Sequence, residues 1–405
     1  MRLILPALLL LTFSCVLGAS AQTNATPTQS SWTSLATGQA LTLTLQDPKN
    51  LKLGAPVAVV VYLKNLAAPR LGTESDEIII NNFLAAGYLV VSVDFAHHPR
   101  ARVPYLNRDL GKLRDDIRNK KLLEQYFIDN THIYFVPAGH RLLRDVVYYR
   151  DEKRTLALDV IYPSKPTQPV GTVLEFSCDN KDRMGNLSLS ICSDTLLDGE
   201  ATEGFAAVMA DHPVAAQYKG IDPMPDCAQK IKAAIRTVRA IGPELSLSGK
   251  IVPVGFSRGS GMALMLLTTE GMSEFEGHGE HPSENSSVQG AVVMSGRFTY
   301  LDLLPDDRMK PRYEAAWGDR KTHQEIWRRH GALDYLQQKT LPLFLTINCT
   351  ESPDALHQME TLRKRLTALG SEATFMLDPE PRGHKVTLVP EILAAMNEYL
   401  KTRLN

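Results

Sequence analysis

Short apolar runs of strand length alternate with longer amphipathic stretches along most of this chain. We predict strands at the apolar runs 146–150, 156–162, 171–176, 204–211, 251–255, 288–295, 343–347 and 374–377. The stretch 227–241 places Ile231, Ile235 and Val238 on one helical face, and a last helix is predicted over about 390–404. The alternation predicts a mostly parallel central sheet flanked by helices.

The segment before Asp145 repeats this pattern. Residues 56–63 and 87–94 are predicted strands on either side of a helical stretch at 74–86. Residues 87–99 and 204–213 both end a strand in Asp and then reach His-Pro, which suggests a weak internal duplication of a strand–helix–strand unit. The alternative is that any two such units look alike. Either way, residues 39–144 predict an N-terminal α/β extension without a nucleophile motif, ahead of a main domain over 145–405.

The first 38 residues have a different character. Met1 and Arg2 precede an apolar run at 3–17 and then Ala19-Ser20-Ala21, so we predict a signal peptide over 1–21 and a secreted or periplasmic protein. The apolar run is shorter than the roughly 20 residues that span a membrane. Lipid anchoring at Cys15 is the weaker alternative, because the residues before it match a lipid-attachment sequence poorly. Residues 22–38 are rich in Thr, Ser, Asn and Gln and predict a flexible leader.

Charge and cysteine content narrow the range of partners. The net charge is −1, and binding to nucleic acid or to an anionic membrane needs a basic excess, so neither partner is expected. After export, four cysteines could form two disulfides in any of three pairings, and the alternative is that they are buried free thiols. They are Cys178, Cys192, Cys227 and Cys349. The close pair His278 and His281 is a weak metal candidate without further ligands, and no metal or other cofactor is expected.

The candidate chemistry centres on Gly255-Phe256-Ser257-Arg258-Gly259. This G-x-S-x-G pattern arises by chance in about one chain in ten of this length, so its context decides its value. It follows a predicted strand at 250–254 and precedes a helical run at 262–267, which is the strand–turn–helix layout of a nucleophile elbow. Glycines supply the clearance that the sharp turn needs. Ser257 is therefore the predicted nucleophile.

In this motif and in the order of its elements, the chain resembles the α/β-hydrolase family over about residues 145–405. The resemblance implies an α/β-hydrolase fold and a triad in the order Ser, acid, His. His384 lies between the last predicted strand and the last helix, which implies a general base. The acid follows the strand at 343–347, where Glu351 is favoured and Asp354 is the competitor.

The resemblance also implies the groups around the reacting carbonyl. The backbone N–H of Arg258 and one from Ser177, with Cys178 close behind, are the predicted oxyanion donors. The Arg258 side chain could stabilise the oxyanion or bind an acidic group of the substrate. The alternative is that it forms a salt bridge on its own helix. In the family's cap position lie Arg297, Tyr300 and Trp317, which suit a sugar or aryl substrate or else pack as an ordinary cap.

The function that these features imply is a secreted serine carboxylic-ester hydrolase working through an acyl-enzyme. Its substrate is a small-molecule or polymer ester, and acetyl, feruloyl or uronoyl esters of polysaccharides are the first expectation. Two alternatives stay open: a serine peptidase of the prolyl-oligopeptidase type, which would usually bring a propeller, and a catalytically inactive binding module. The oligomeric state stays open as well.

Overall fold

The computed structural model describes residues 27–405 except Ala36, Leu53, 66–70, 97–102, Lys153, 177–204, 214–225 and 386–388. The predicted signal peptide, residues 1–21, and Cys15 lie outside the described residues. In the part of the chain that is described, no helix is long and apolar enough to cross a lipid bilayer. The described strands form two sheets, one of five strands and one of eight.

The first sheet is built around one apolar strand. Its elements are β1 (Thr28–Thr33), β2 (Ala40–Gln46), β3 (Val57–Lys64), α1 (Asp76–Ala85), β4 (Leu89–Asp94), α2 (Val103–Arg118) and β5 (Ile128–Pro137). The strand order is β1-β2-β4-β3-β5, with β3 parallel to both of its neighbours and β2 antiparallel to β1 and β4. The Val-rich strand β3 is buried along most of its length, as expected for the central strand of a sheet covered on both faces.

One prediction about this region was wrong. Residues 22–38 were expected to be a flexible leader, whereas Thr28–Thr33 pair with β2 as an edge strand. Trp32 anchors that strand, because its ring is only 5% exposed and its Nε1 donates to Asp116 Oδ2 at 2.9 Å. Thr and Ser are compatible with an extended backbone, so the burial of Trp32 and its hydrogen bond to Asp116 can hold this segment in the sheet despite its polar composition.

The second sheet carries the predicted mostly parallel architecture, which is confirmed. Its strands are β6 (His140–Arg150), β7 (Thr155–Pro163), β8 (Val170–Phe176), β9 (Phe205–Ala210), β10 (Leu247–Phe256), β11 (Ala291–Met294), β12 (Leu343–Asn348) and β13 (Ala373–Asp378). The order is β6-β7-β9-β8-β10-β11-β12-β13, and β7 alone runs antiparallel to its neighbours. The sheet begins at His140 rather than at Asp145, while the division of the chain into domains stays a prediction.

Helices cover both faces of the second sheet. They are α3 (Asp226–Ile241), α4 (Arg258–Thr268), α5 (Lys310–Trp317), α6 (Gln324–His330), α7 (Pro353–Ala368) and α8 (Pro390–Leu404). One apolar core joins α3, α4 and α7 to the sheet, and the predicted stripe Ile231, Ile235 and Val238 is fully buried in it. A second core joins the opposite face to α8 and to α1 of the first sheet. The two sheets therefore share a hydrophobic core.

The two sheets also share a topology. Strands β1–β5 and β6–β10 have the same order and the same directions. In the first sheet Leu63 lies opposite Val93 as Phe176 lies opposite Ala210 in the second. The similarity thus extends over five strands, which favours the duplication interpretation over a chance likeness of two strand–helix–strand units.

The shared register shows what the first sheet has at the position that corresponds to Ser257. Tyr62 lies opposite Val136 in the first sheet, and Glu175 lies opposite Val254 in the second. Gly139 follows Val136 at the same spacing as Ser257 follows Val254, so Gly139 takes the place in the first sheet that Ser257 has in the second. Gly139 donates its N–H to the Tyr62 hydroxyl at 2.9 Å. A Cβ built on Gly72 would lie 1.9 Å from the Gly139 carbonyl oxygen. The chain itself therefore fills this end of the first sheet, and its matching position carries no hydroxyl.

A buried carboxylate joins the first sheet to the β6–β7 hairpin. Glu74 is 6% exposed and accepts from Arg141 Nε at 2.8 Å and Ser164 Oγ at 2.6 Å, and Lys165 Nζ lies 3.0 Å away. Burial alone would raise the pKa of Glu74, but these hydrogen bonds and charges lower it to about 2. The carboxylate is charged at every ordinary pH and ties the two parts of the molecule together.

We expect Glu74→Gln to destabilise the fold by on the order of 2 kcal/mol at pH 7, because Arg141 and Lys165 lose their shared anion. Because the pKa of Glu74 is lower in the folded protein than in the unfolded chain, its carboxylate stabilises the fold at pH values above the ordinary pKa of a glutamate. This stabilisation is lost as the pH falls toward about 2. The difference between parent and variant in urea unfolding should therefore shrink from pH 7 to pH 3. The exposed Glu77→Gln is the control, and equal effects of both variants would contradict this role.

Candidate active site

Ser257 lies in a strained turn between β10 and α4. Its backbone has φ 57° and ψ −117°, a conformation that is rare for a residue with a side chain. The Ser257 N–H donates to the carbonyl oxygens of Ser295 at 2.7 Å and Met294 at 3.0 Å, both at the end of the neighbouring strand β11. These bonds hold the turn, and the serine projects at the carboxyl end of the sheet, beside the N-terminus of α4.

The two glycines of the motif are steric requirements. A Cβ on Gly255 would lie 2.1 Å from the Gly259 carbonyl oxygen, and a Cβ on Gly259 would lie 2.6 Å from the Phe176 carbonyl oxygen. Any side chain at either position would push the turn or the neighbouring strand away. The two glycines of the G-x-S-x-G pattern are therefore required because backbone segments pass very close to each other at this turn.

His384 lies in the loop between β13 and α8 and reaches the serine. Its Nε2 is 3.0 Å from Ser257 Oγ, which is hydrogen-bonding distance. The ring packs against Phe256, with centroids 4.6 Å apart, while the side chain remains 42% exposed. An imidazole held on one side by an aromatic ring and open on the other can accept the serine proton and release it to a departing group.

Glu351 orients the histidine from the opposite side. Its Oε2 lies 2.6 Å from His384 Nδ1, and its Oε1 accepts from the Ser352 N–H at 2.8 Å. Burial alone would raise the pKa of Glu351, but the hydrogen bonds from His384, Ser295 and the Ser352 amide lower it to about 2. The Glu351 side chain is therefore a carboxylate at every ordinary pH.

The competitor Asp354 is placed elsewhere. It lies in the first turn of α7, and its Oδ2 is 3.4 Å from Arg297 Nη2. The structure thus brings Ser257, His384 and Glu351 into one hydrogen-bonded chain and directs Asp354 to a salt bridge.

Only part of the predicted oxyanion site can be located. Arg258 is the first residue of α4, where backbone N–H groups have no partner within the helix. Ser177 and Cys178 lie outside the described residues. Beside Arg258 lies His212, which is 2% exposed; burial first, and then the Arg258 charge, lower the pKa of His212 to about 3. A neutral imidazole therefore packs beneath the start of α4, at the Asp-His-Pro segment that the sequence singled out.

The three candidate substrate residues have unequal surroundings. Arg297 pairs with Asp307 and Asp354, and Trp317 is 7% exposed and stacks on Tyr313 with centroids 4.9 Å apart. Tyr300 is half-buried and meets Trp317 edge-on at 5.0 Å. Trp317 thus packs against an aromatic ring of α5, Arg297 is held by two carboxylates, and Arg297 and Tyr300 both remain partly exposed.

The cysteines and the histidine pair show no sign of a second site among the described residues. Cys349 is a free thiol, the Sγ of the buried Cys227 lies 3.6 Å from Met262 Sδ, and Cys178 and Cys192 lie outside the described residues. No described group of three or more His, Cys, Asp or Glu side chains could hold a metal ion. The loop with His278 and His281 is held by Arg236, whose Nη2 donates to the His278 carbonyl at 2.6 Å.

One residue of this site was missed from the sequence. Ser295 follows β11, is 3% exposed, and donates its hydroxyl to Glu351 Oε2 at 2.5 Å. Its only signal is a small hydroxyl residue at the end of a predicted strand, and many strands end that way. Its importance depends on which strand lies beside β10.

The strand order and the serine turn together define an α/β-hydrolase fold, and comparisons with known proteins agree. The BD-FAE family model, of an esterase family of the α/β-hydrolase type, matches residues 185–366. No curated protein matches the chain. The predicted resemblance to α/β-hydrolase esterases is thereby confirmed, and so is the α/β-hydrolase fold class, while the N-terminal extension stays a prediction.

Three solved structures illustrate the likeness. A truncated carbohydrate esterase from gut microbiota is 16% identical over 65% of this chain and 95% of that chain, with a TM-score of 0.52. A propionate-bound thermophilic esterase from the Planctomycetes species Thermogutta terrifontis is 16% identical over 65% and 94%, with a TM-score of 0.50. A bifunctional GH43-CE protein of Bacteroides eggerthii is 20% identical over 65% and 35%, with a TM-score of 0.55. At these identities the likeness shows the fold.

Proposed function

We propose that this protein is a serine carboxylic-ester hydrolase that works through an acyl-enzyme. The observation that carries the proposal is the chain of contacts from Ser257 through His384 to Glu351, with distances of 3.0 Å and 2.6 Å, on a strained turn at the carboxyl end of the sheet. Nucleophile, base and orienting acid within hydrogen-bonding reach are the arrangement that acyl transfer needs. The esterase family matched at residues 185–366 supports the same class of reaction.

The proposed mechanism follows from the atoms in contact. Ser257 Oγ attacks the ester carbonyl as His384 Nε2 takes its proton, and the Glu351 carboxylate stabilises the imidazolium. The Arg258 N–H, with the amide of Ser177 as the proposed second donor, holds the oxyanion. His384 then gives its proton to the departing alcohol, and a water activated by the same imidazole hydrolyses the acyl-enzyme.

The proposed substrate is an ester on a carbohydrate polymer, with acetyl, feruloyl or uronoyl groups as the first candidates. Tyr300, which packs edge-on against Trp317, offers an aromatic surface for a sugar or aryl ring, and the partly exposed Arg297 offers a positive charge. The Arg258 side chain is exposed beside the nucleophile, where it would suit an acidic acyl group. Solved carbohydrate esterases share the fold, and the N-terminal sequence supports export to where such polymers occur.

Two assays on the purified protein test the proposal. A fluorophosphonate probe should label Ser257, identified by peptide mass spectrometry, and p-nitrophenyl acetate should be hydrolysed. Preincubation with the probe should remove this turnover in proportion to labelling. An inactive binding module would neither label nor turn over the ester, and a peptidase would label but prefer a matched peptide anilide.

A further inference from the structure

Ser295 contacts both halves of the proposed catalytic machinery. Its side chain donates to Glu351 Oε2 at 2.5 Å, the same oxygen that lies 2.6 Å from His384 Nδ1. Its backbone carbonyl accepts from the Ser257 N–H at 2.7 Å. The residue lies at the end of β11, between the strand that leads to the nucleophile and the strand that leads to the acid.

Its backbone is held in an unfavourable conformation. Ser295 has φ 42°, in the left-handed region that residues with side chains rarely adopt. The next residue, Gly296, has no room for a side chain, because a Cβ there would lie 1.9 Å from Ser260 Oγ. Strained backbone persists where the surrounding structure fixes it, and here the strain points the hydroxyl and the carbonyl of one residue toward the acid and the nucleophile.

A third hydrogen-bond partner is useful to Glu351 because its side chain is flexible. Glutamate has one more rotatable bond than aspartate, so it loses more conformational freedom when it is fixed beside a histidine. The Glu351 side chain is 2% exposed, and its two oxygens are held by His384, Ser295 and the Ser352 N–H. Without the Ser295 hydroxyl, Glu351 Oε2 keeps its hydrogen bond with His384 and loses a neutral donor that fixes its position.

We infer that Ser295 is a positioning residue for the proposed reaction: its hydroxyl fixes the Glu351 carboxylate against His384. The inference rests on the proposed function, since it assigns Ser295 a role in that same site. Ser295 Oγ lies 3.5 Å from His384 Nδ1, so the hydroxyl stands beside the Glu351–His384 hydrogen bond and acts through the carboxylate.

A double-mutant cycle tests this role. Ser295→Ala should lower kcat for p-nitrophenyl acetate by roughly 10- to 100-fold with KM nearly unchanged, since a hydrogen bond to a charged group is lost and no substrate contact is removed. In a Glu351→Ala background the same substitution should change kcat by less than about twofold, because the group it acts on is gone. Ser260→Ala is the matched control: Ser260 Oγ donates to the Ser257 carbonyl at 2.5 Å, so its effect should persist in both backgrounds.

A second readout does not depend on turnover. The Nδ1 proton of His384 should give a low-field NMR resonance, assigned by its loss in His384→Ala. Ser295→Ala should shift that resonance and Ser260→Ala should not. Equal kcat losses for Ser295→Ala in both backgrounds, or an unmoved resonance, would overturn the inference. An inactive parent protein would sink the proposed function, and the resonance would still decide whether Ser295 fixes the Glu351–His384 pair.

Discussion

Ser257→Ala should reduce kcat for p-nitrophenyl acetate by at least about 10³-fold, because the acyl-enzyme can no longer form. The residual rate should come from the backbone donors and substrate binding alone. Alanine keeps the Cβ of serine, so the strained φ of 57° is neither relieved nor worsened. Thermal unfolding of the variant should therefore match the parent, and the loss of activity should be assignable to the missing hydroxyl.

The control for this prediction is Ser283→Ala, which removes an exposed hydroxyl outside the site. It should retain full turnover and full fluorophosphonate labelling. Undiminished turnover by Ser257→Ala would remove the serine from the mechanism, and labelling at another residue would show where the nucleophile lies. A variant that loses activity together with its cooperative unfolding transition would have to be replaced by Ser257→Cys, which keeps a side-chain nucleophile of similar shape.

Glu351→Gln should reduce kcat by about 10²- to 10⁴-fold, whereas Asp354→Asn should reduce it by less than about tenfold. A glutamine keeps the shape of the side chain but cannot stabilise the imidazolium, and its NH₂ group would oppose the N–H of His384 Nδ1. Asp354 instead faces Arg297 at 3.4 Å, and Arg297 retains Asp307 as a second partner. The two substitutions are isosteric and remove one charge each, so each serves as the control for the other.

The measurement is kcat against pH on p-nitrophenyl acetate for both variants. Because the pKa of Glu351 is lowered to about 2, its protonation should not limit the parent at any pH where the fold is stable. A larger loss for Asp354→Asn than for Glu351→Gln would move the acid to Asp354, against the observed contacts.

The three residues of the proposed triad could be predicted because each one follows a recognisable strand. Ser257 is marked by two glycines that the turn requires, and His384 and Glu351 lie in the loops that follow the apolar runs of β13 and β12. Parallel strands end at the same edge of a sheet, so three such positions converge without further information. Glu351 lies just before the helix α7 and Asp354 in its first turn, and the contact with His384 distinguishes them.

Ser295, Arg297 and Trp317 show where the sequence was insufficient. The role of Ser295 depends on β11 lying between β10 and β12, which is a property of strand order. An Arg and a Trp in a cap suit a substrate or a packed core equally well by composition, and only their partners, Asp307 and Tyr313, show the packing role. The same holds for residues 28–33, where Trp32 meets Asp116 across a large sequence separation.

By itself the sequence determined the alternation of strands and helices, the Ser257 turn and the positions of the proposed base and acid, because these depend on local periodicity and on backbone sterics within a few residues. The tertiary structure decided the pairing of the first sheet, the match of Gly139 to Ser257, the Glu74 contacts and the place of Ser295. Each of these depends on which distant segments become neighbours, and that is fixed by burial and register over the whole chain.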